Sequence, residues 1–502
     1  MPWTIRRKFC FSMPSPAAMA VLAAALILIF TLFIPPLVGM ADNGDFYRVI
    51  NGNGLYKLDR NAPDQYLSYF SSQYGVYQYF NEYESSLLSS QTPFIHAAIA
   101  LDRLLTGNDA VFDVRFMAFL IGLWALVALY LLVDYATWGL ERPFGYVVAA
   151  MAVLIFFDTG YIAYFNSFYA EGLVLVSFLT AMACALLTRQ RRYPPYALLA
   201  GYVFSGLILT CAKQQNAPLG ILLGLLCIPM MLNLPQEDGE EAPRPKGRTK
   251  RRIITGLCAS LLCFCGVAVY ILIPQEFVEI NQYHAMTRGV LISAENPEQV
   301  LERFDIDPQY ALLDGSIYYE RYPAVDVESD ALKIDFFPKY NFVSIAAHYL
   351  THPNDLIVML NHTAKNAYAI RPDAIGNFER SAGREPGEKA AFFTLHSTLK
   401  NTVMPKTAGA VLIWLILVLL TSFFKDRWQT LVLTCVILAG LSQVGVSIVG
   451  AGDADLSKHI FLYNVAFDCA NFIILATIFL PWRAKVYRAK HPIAKKEAAV
   501  CA

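Results

Sequence analysis

The run Asp42-Asn43-Gly44-Asp45-Phe46-Tyr47-Arg48 sets two carboxylates, two aromatic rings and an arginine directly behind an apolar stretch. A carboxylate held at the rim of a bilayer is costly to desolvate, and such groups mark ion, proton or substrate sites. Three other polar stretches carry comparable chemistry: Asp158-Thr159-Gly160-Tyr161 continuing through Tyr164 and Tyr169 to Glu171, then Lys213-Gln214-Gln215-Asn216, then Asp453-Ala454-Asp455-Leu456-Ser457-Lys458-His459. The first two of these four regions are rich in carboxylates, while Lys213, Lys458 and His459 supply cationic groups. A substrate with both a leaving phosphate and a hydroxyl nucleophile suits that division. The amines neutralise phosphate oxygens, and a carboxylate, Asp42 or Asp45, takes the hydroxyl proton. Taken singly, each stretch is an ordinary solvated turn or interfacial anchor. Arg288, Arg321, His362 and Arg371 are further candidates for clamping phosphate, with nothing in the sequence to rank them.

What positions these residues is a set of apolar runs. The chain has 502 residues, 56% of them hydrophobic and only 16% charged, with a formal net charge of zero. That composition excludes a soluble enzyme and gives no basis for a nucleic-acid partner. About ten runs are long enough to span a bilayer, near 17–40, 115–133, 144–162, 168–187, 196–212, 217–233, 253–273, 407–424, 429–449 and 459–481. Basic residues cluster on alternate connections: Arg6, Arg7 and Lys8, then Arg142, then Arg189, Arg191 and Arg192, then the run Arg244 to Arg252, then Lys425 and Arg427, then the tail from Arg483 to Lys496. The positive-inside rule makes both termini cytoplasmic and puts all four polar regions on the outer side. The N-terminal run is too long for a typical signal peptide and reads as a retained first helix.

The expected layout is a transmembrane module over 1–273 with a first outer loop at 41–114, an extracytoplasmic domain over 274–406, and C-terminal helices with a basic tail over 407–502. Within the first loop, 93–105 reads as an amphipathic helix on the membrane surface, with Phe94, Ile95, Ile99, Leu101 and Leu105 towards lipid. In the outer domain, helices are expected at 297–304 behind an Asn296 cap, at 342–349 and at 355–368. The segment 235–252 reads as a disordered cytoplasmic linker on anionic lipid. Ten cysteines, mostly in apolar runs, form no disulfide or zinc pattern. Asp468, inside the last run, is an intramembrane acid with Asn471 as one possible partner. A transporter would carry related halves and polar groups near mid-bilayer; no repeat is visible, and the ionisable groups gather at one surface, so that reading and a non-catalytic scaffold rank second and third.

A long first outer loop that opens on acidic residues, a juxtamembrane helix and acids in the second outer loop resemble the GT-C superfamily of polytopic glycosyltransferases. Members place Asp-Glu-x-x-aromatic where this chain has Asp42-Asn43-Gly44-Asp45-Phe46, which leaves open whether Asp42 or Asp45 is the base. More closely, the chain resembles the bacterial WsfD-like group of S-layer-glycan hexose transferases. The matching stretches are 42–48, 165–171, 457–464 and Phe304-Asp305-Ile306-Asp307-Pro308-Gln309-Tyr310. The resemblance implies a ten-helix GT-C fold in the bacterial cytoplasmic membrane. It implies transfer of a hexose from a polyprenyl-phosphate donor to a glycan or lipid-linked acceptor, outside the cytoplasm, with either stereochemical outcome. Asp42 and Asp45 would be catalytic; Arg48, Tyr169, Glu171, Lys213, Gln214, Arg288, Arg371, Lys458 and His459 would bind substrate. Some members hold a divalent metal (Mg or Mn), for which Asp158 and Glu171 would be the ligands here.

Overall fold

Each of the ten apolar runs contains helix in the computed structural model, which describes residues 13–58, 66–78, 89–232, 245–423 and 426–478. Six of the helices are long and apolar enough to cross a membrane: Pro16–Phe33, Arg115–Thr137, Pro195–Ala212, Gln214–Leu232, Thr249–Ile271 and Arg427–Ala451. Two bent pairs raise that number to eight if each is one span: Arg142–Phe156 with Thr159–Phe165, bent by 48°, and Leu395–Val403 with Ala408–Thr421, bent by 114°. The remaining two runs form the shorter apolar helices Glu171–Leu187 and Phe461–Ala476. Among the described residues six to eight helices thus have the length and composition of a span, against about ten expected from the sequence. The break in the first pair has a local cause. Asp158 leaves the helix, its Oδ1 accepting from the Gly160 N–H at 2.8 Å and its Oδ2 from the Ser397 N–H at 2.9 Å.

Starts and stops follow ordinary capping chemistry. Ser15 accepts from the Ala18 N–H ahead of Pro16 at the first helical position, and Asp426 accepts from the Trp428 N–H at 2.8 Å. In the outer domain Asn296 caps Pro297–Arg303, and Phe342–Thr351 and Pro353–Asn366 follow. These helices enclose a core that includes Tyr283, Phe336 and Tyr340, into which Ile448 of Arg427–Ala451 also packs. The main apolar core runs through the bundle and takes in Ile370, Ala374 and Ile375 from the end of the outer segment.

Short strands tie the outer loops to the bundle. Antiparallel β1 (Val38–Met40) and β5 (Ile375–Phe378) join the end of the first helix to the far end of the outer segment. A three-stranded antiparallel sheet of β2 (Leu55–Lys57), β3 (Gln73–Val76) and β4 (Val111–Asp113) organises the first loop. Buried Asn166 donates to the Leu32 and Val38 carbonyls at 3.2 and 2.9 Å, fixing the chain just ahead of Asp42.

Three expectations change here. The helix Gln91–Thr106 buries Ile95 and Ile99 in the core, and the large apolar side chains it exposes are Leu104 and Leu105 at its C-terminal end. Residues 245–252 extend the following helix, Pro245–Ile271, instead of belonging to a linker; 235–244 lie outside the described residues, as does the basic tail. Asp468 meets Tyr161 (2.5 Å), His396 (2.9 Å) and Lys400 (2.9 Å), whereas Asn471 accepts from the Trp414 indole at 2.9 Å. The Asp468 cluster fastens Leu395–Val403 across the bundle.

Helices Ala217–Leu232 and Pro245–Ile271 touch through glycines. A Cβ at Gly220 would lie 2.5 Å from the Leu262 carbonyl oxygen, and one at Gly266 would lie 2.6 Å from that of Ala217. Close backbone approach of this kind is a main source of helix association in lipid. Gly220→Leu and Gly266→Leu are expected to destabilise the solubilised protein by roughly 1–3 kcal/mol each through overpacking. Gly409→Ala, where a Cβ meets nothing within 4 Å, should leave the melting temperature unchanged in the same thermal-unfolding assay.

Candidate functional site

The first outer loop turns sharply on Asp42. Its Oδ1 accepts from the Gly44 N–H at 2.8 Å and the Phe46 N–H at 3.2 Å, and its Oδ2 pairs with Lys57. Gly44 sits at φ +99°, in the region that only glycine enters without strain. The turn starts the short helix Phe46–Gly52 and drives Phe46 into the core, edge-on to Phe168 (5.7 Å) and Tyr169 (5.4 Å). Asp45 is thereby aimed inward.

Its Oδ2 receives the Lys458 ammonium at 2.5 Å, although the two residues are 413 positions apart in sequence. The Tyr169 hydroxyl donates to the same oxygen at 3.0 Å, accepts from Lys458 at 3.0 Å and also meets Asn43. On the other side Arg48 lies 3.5 Å from Asp45 Oδ1, its guanidinium over the Phe277 ring at 5.1 Å. Next along the wall, Lys213 pairs at 2.7 Å with Glu171, whose side chain is only 1% exposed. Gln215 donates to the His459 carbonyl, holding that segment against the Lys213 turn.

These groups line one cavity of about 1000 Å³. Of the residues singled out from sequence, it gathers Asp45, Arg48, Tyr169 and Glu171 from the N-terminal half. Lys213, Gln214, Lys458 and His459 complete the set. Beside the charged groups the lining includes Tyr270, Ile273, Phe277, Val446 and Val449.

Burial works against the Asp45 carboxylate, but Lys458 and Arg48 outweigh it and hold Asp45 below the usual carboxylate range. Burial, reinforced by Lys213 and Lys458, pushes His459 down to about 3, so its imidazole is neutral. Burial beside Asp45 raises the Tyr169 hydroxyl far above its ordinary value and keeps it a hydrogen-bond donor. The lining thus carries Arg48, Lys213 and Lys458 against Asp45 and Glu171, an excess of one positive charge.

Four other residues lie elsewhere. Asp42 lines a separate hollow of about 80 Å³ with Lys57, Tyr69 and Tyr74. Arg288 is bound to Asp453 (2.7 Å) and to the Gly315 carbonyl (2.7 Å), where it fastens the turn ahead of Lys458 to the outer domain. Arg371 donates to the Ala390 carbonyl at 2.6 Å. Asp158 caps its helix break as described. Arg288 and Arg371, expected at the substrate, thus lie outside the lining of the large cavity, Arg288 held by Asp453 and the Gly315 carbonyl and Arg371 by the Ala390 carbonyl. The two residues expected as metal ligands, Asp158 and Glu171, have protein partners. Both Asp158 oxygens accept main-chain N–H groups and Glu171 holds Lys213, and no group of three or more His, Cys, Asp or Glu is placed to hold a metal among the described residues. In the 304–310 stretch, Asp305 pairs with Lys339 on the surface and Asp307 caps the turn Pro308–Leu313.

Several functional partners escaped sequence reasoning. Lys57 as the counterion of Asp42, and His396 and Lys400 as those of Asp468, are single charged residues in polar stretches. Only the tertiary fold brings them to their acids. The apolar wall from Tyr270 and from Gly445 to Ala451 reads in sequence as ordinary transmembrane helix.

A family model described as "YfdI N-terminal transmembrane domain" matches residues 5–498. No curated protein matches the chain in sequence. Among solved structures, the oligosaccharyltransferase of Archaeoglobus fulgidus in its apo form aligns at 13% identity with a TM-score of 0.40, over 95% of this chain and 52% of that one. The archaeal oligosaccharyltransferase AglB from the same organism, in complex with an inhibitory peptide and a dolichol-phosphate, aligns at 10% identity with a TM-score of 0.39, over 95% and 52%. The chain spans about half the length of these proteins.

The depressed imidazoles give a pH dependence with a definite sign. An unfolded histidine binds its proton near 6.5, whereas folded His459 does so only at about 3 and folded His284, also buried, at about 4. Between those values the unfolded chain holds more protons, so stability falls as pH drops from 6.5. His459→Asn is expected to shallow the decline of melting temperature between pH 6.5 and 4, with the His284 contribution remaining; a slope equal to wild type would show that His459 is not held neutral.

Proposed function

Taking as premise that the chain belongs to the YfdI N-terminal transmembrane domain family, we propose that it is a membrane glycosyltransferase of the GT-C type. It moves a hexose from a polyprenyl-phosphate-linked donor to a cell-surface glycan or lipid-linked acceptor, on the outer face of the bacterial cytoplasmic membrane. The observation that carries this reading is the convergence of Asp45, Lys458, Tyr169, Lys213, Glu171 and His459 on one cavity that apolar side chains also line. A donor phosphodiester bears one negative charge, which matches the single positive excess of the lining. Arginine and lysine side chains with polar main-chain groups are the usual partners of such a phosphate.

Asp45 is the base in this reading. In the free chain Lys458 neutralises it, and a carboxylate so paired is a weak proton acceptor. A phosphodiester beside Lys213 and Lys458 draws the ammonium to itself, which raises the affinity of Asp45 for a proton when the acceptor is in place. The acceptor oxygen then bonds to the anomeric carbon as the bond from that carbon to the phosphate oxygen breaks. The acceptor's proton passes to Asp45, and the lipid phosphate leaves with the bonding pair. The two ammonium groups stabilise the charge that grows on the leaving phosphate. Asp42 acts at one remove by fixing the turn that aims Asp45.

Mass spectrometry of surface glycans from cells lacking the chain should reveal the missing hexose. In complementation, Asp45→Asn and Lys458→Met should each lower glycan extension by roughly 10²-fold or more, the usual scale for losing a catalytic base or an electrostatic stabiliser. Asp42→Asn should act more mildly and lower the melting temperature too. An unchanged glycan profile in the deletion strain, or full complementation by Asp45→Asn, refutes the assignment.

A further inference from the structure

A row of tyrosines runs from the core of the outer domain to the edge of the large cavity. Tyr283 is buried in that core; Tyr318 stands edge-on to it at 5.8 Å, and Tyr319 edge-on to Tyr318 at 5.1 Å. The main chain is pinned here, the Tyr318 N–H donating to His284 Nε2 at 2.9 Å. The row ends in the open, with Tyr319 57% exposed. On the first outer loop Tyr47 is 42% exposed. Arg48 joins the two. Its guanidinium lies 5.5 Å from the Tyr47 ring centre and 6.0 Å from that of Tyr319, and its Nε donates to the Tyr47 hydroxyl at 3.1 Å. The Tyr319 hydroxyl donates to Glu276 at 3.1 Å. Arg48 also lines the cavity and lies 3.5 Å from Asp45. Two exposed, rigidly held rings thus meet the site through one side chain, and the transfer step as described makes no use of them.

We infer that Tyr47, Arg48 and Tyr319 form the platform that holds the acceptor, and that the acceptor is a chain of neutral sugars. The inference rests on the sugar-transfer reading and names the chemistry and the seat of its acceptor. A sugar ring has an apolar face of C–H groups and a rim of hydroxyls. The exposed tyrosine rings take the face, while Arg48 donates to the rim and Glu276 accepts from it. Tyrosines already fixed in place bind at a small cost in conformational entropy. The charges disfavour ionic partners. Arg48 is paired with Asp45, and Glu276 beside Tyr319 repels the phosphates of an anionic headgroup or polymer. Both phenol oxygens are tied to protein groups, whereas a tyrosine anchored at the membrane interface presents its oxygen to the headgroups. Because Arg48 touches both the rings and Asp45, a sugar on the platform has its neighbour in the chain beside the base.

The probe is the surface polysaccharide released by mild acid from cells lacking the chain, once its composition has been compared with that of wild-type cells. Binding to the full-length protein in detergent is measured by isothermal titration calorimetry. Wild type should bind the polysaccharide, and the anionic polymer polygalacturonate should not compete. Tyr47→Ala and Tyr319→Ala should each weaken binding about tenfold or more, the scale of losing an anchoring aromatic ring. Their melting temperatures should equal that of wild type, since both rings are exposed. Tyr47→Phe and Tyr319→Phe keep the ring face and lose one hydrogen bond, so they should stay within about threefold of wild type. Undiminished binding by the two alanine variants, competition by polygalacturonate, or a wild type that retains phosphatidylglycerol in native mass spectrometry and binds no polysaccharide overturns the platform. None of those outcomes touches the sugar-transfer reading so long as the deletion strain lacks a hexose. A polysaccharide of identical composition in the two strains instead removes the reading on which the platform rests.

Discussion

The contact between Asp45 and Lys458 is the constraint around which the outer surface is built. Two ionised groups can be withdrawn from water only if their remaining hydrogen-bonding capacity is met nearby. Tyr169 and Arg48 meet it here, and Asn43 accepts from the Tyr169 hydroxyl. Each of these arrives on a different element, and each element needs its own anchor: the Asp42 turn for Asp45, Asn166 for the strand ahead of that turn, and Arg288 with Asp453 for the segment that brings Lys458. The pair explains why polar residues from so many connections are drawn to one point. It also explains why the outer domain grips the last hairpin: without that grip the half-buried Asp45 carboxylate would lose its ammonium partner.

The bundle was readable in the sequence because lipid imposes a strict rule. Backbone polar groups must be satisfied within the segment, so an apolar run of sufficient length becomes a helix. Each of the ten runs contains helix. What could not be read was where a run stops being straight, since Asp158 breaks its helix through a main-chain bond to Ser397, a residue 239 positions away. The same limit applies to partners. Asp468 announced itself as an acid inside an apolar run, yet its counterions come from a cross-lying helix whose placement depends on them.

For the site, residue chemistry and one-sidedness gathered the right neighbourhood. Asp45, Tyr169, Glu171, Lys213, Lys458 and His459 all carry polar groups next to apolar runs, where solvation is limited and a partner is needed. Arg288 and Arg371 look no different in sequence from these. Only the fold reveals that main-chain carbonyls and Asp453 already engage them. Asp42 and Asp45 look alike as well, three positions apart on one turn. Helical geometry then sends one into the large cavity and turns the other back on the chain that carries it.

The pairing of β1 with β5 has a consequence for biogenesis. The strand leading into the Asp42 turn is made early, but its partner is made more than three hundred residues later, and Lys458 later still. A growing chain therefore inserts most of its helices before the wall of the large cavity is complete. The contact between Asp45 and Lys458 forms only when the last hairpin has been made and has closed against the first loop, so every shorter product carries Asp45 without that partner.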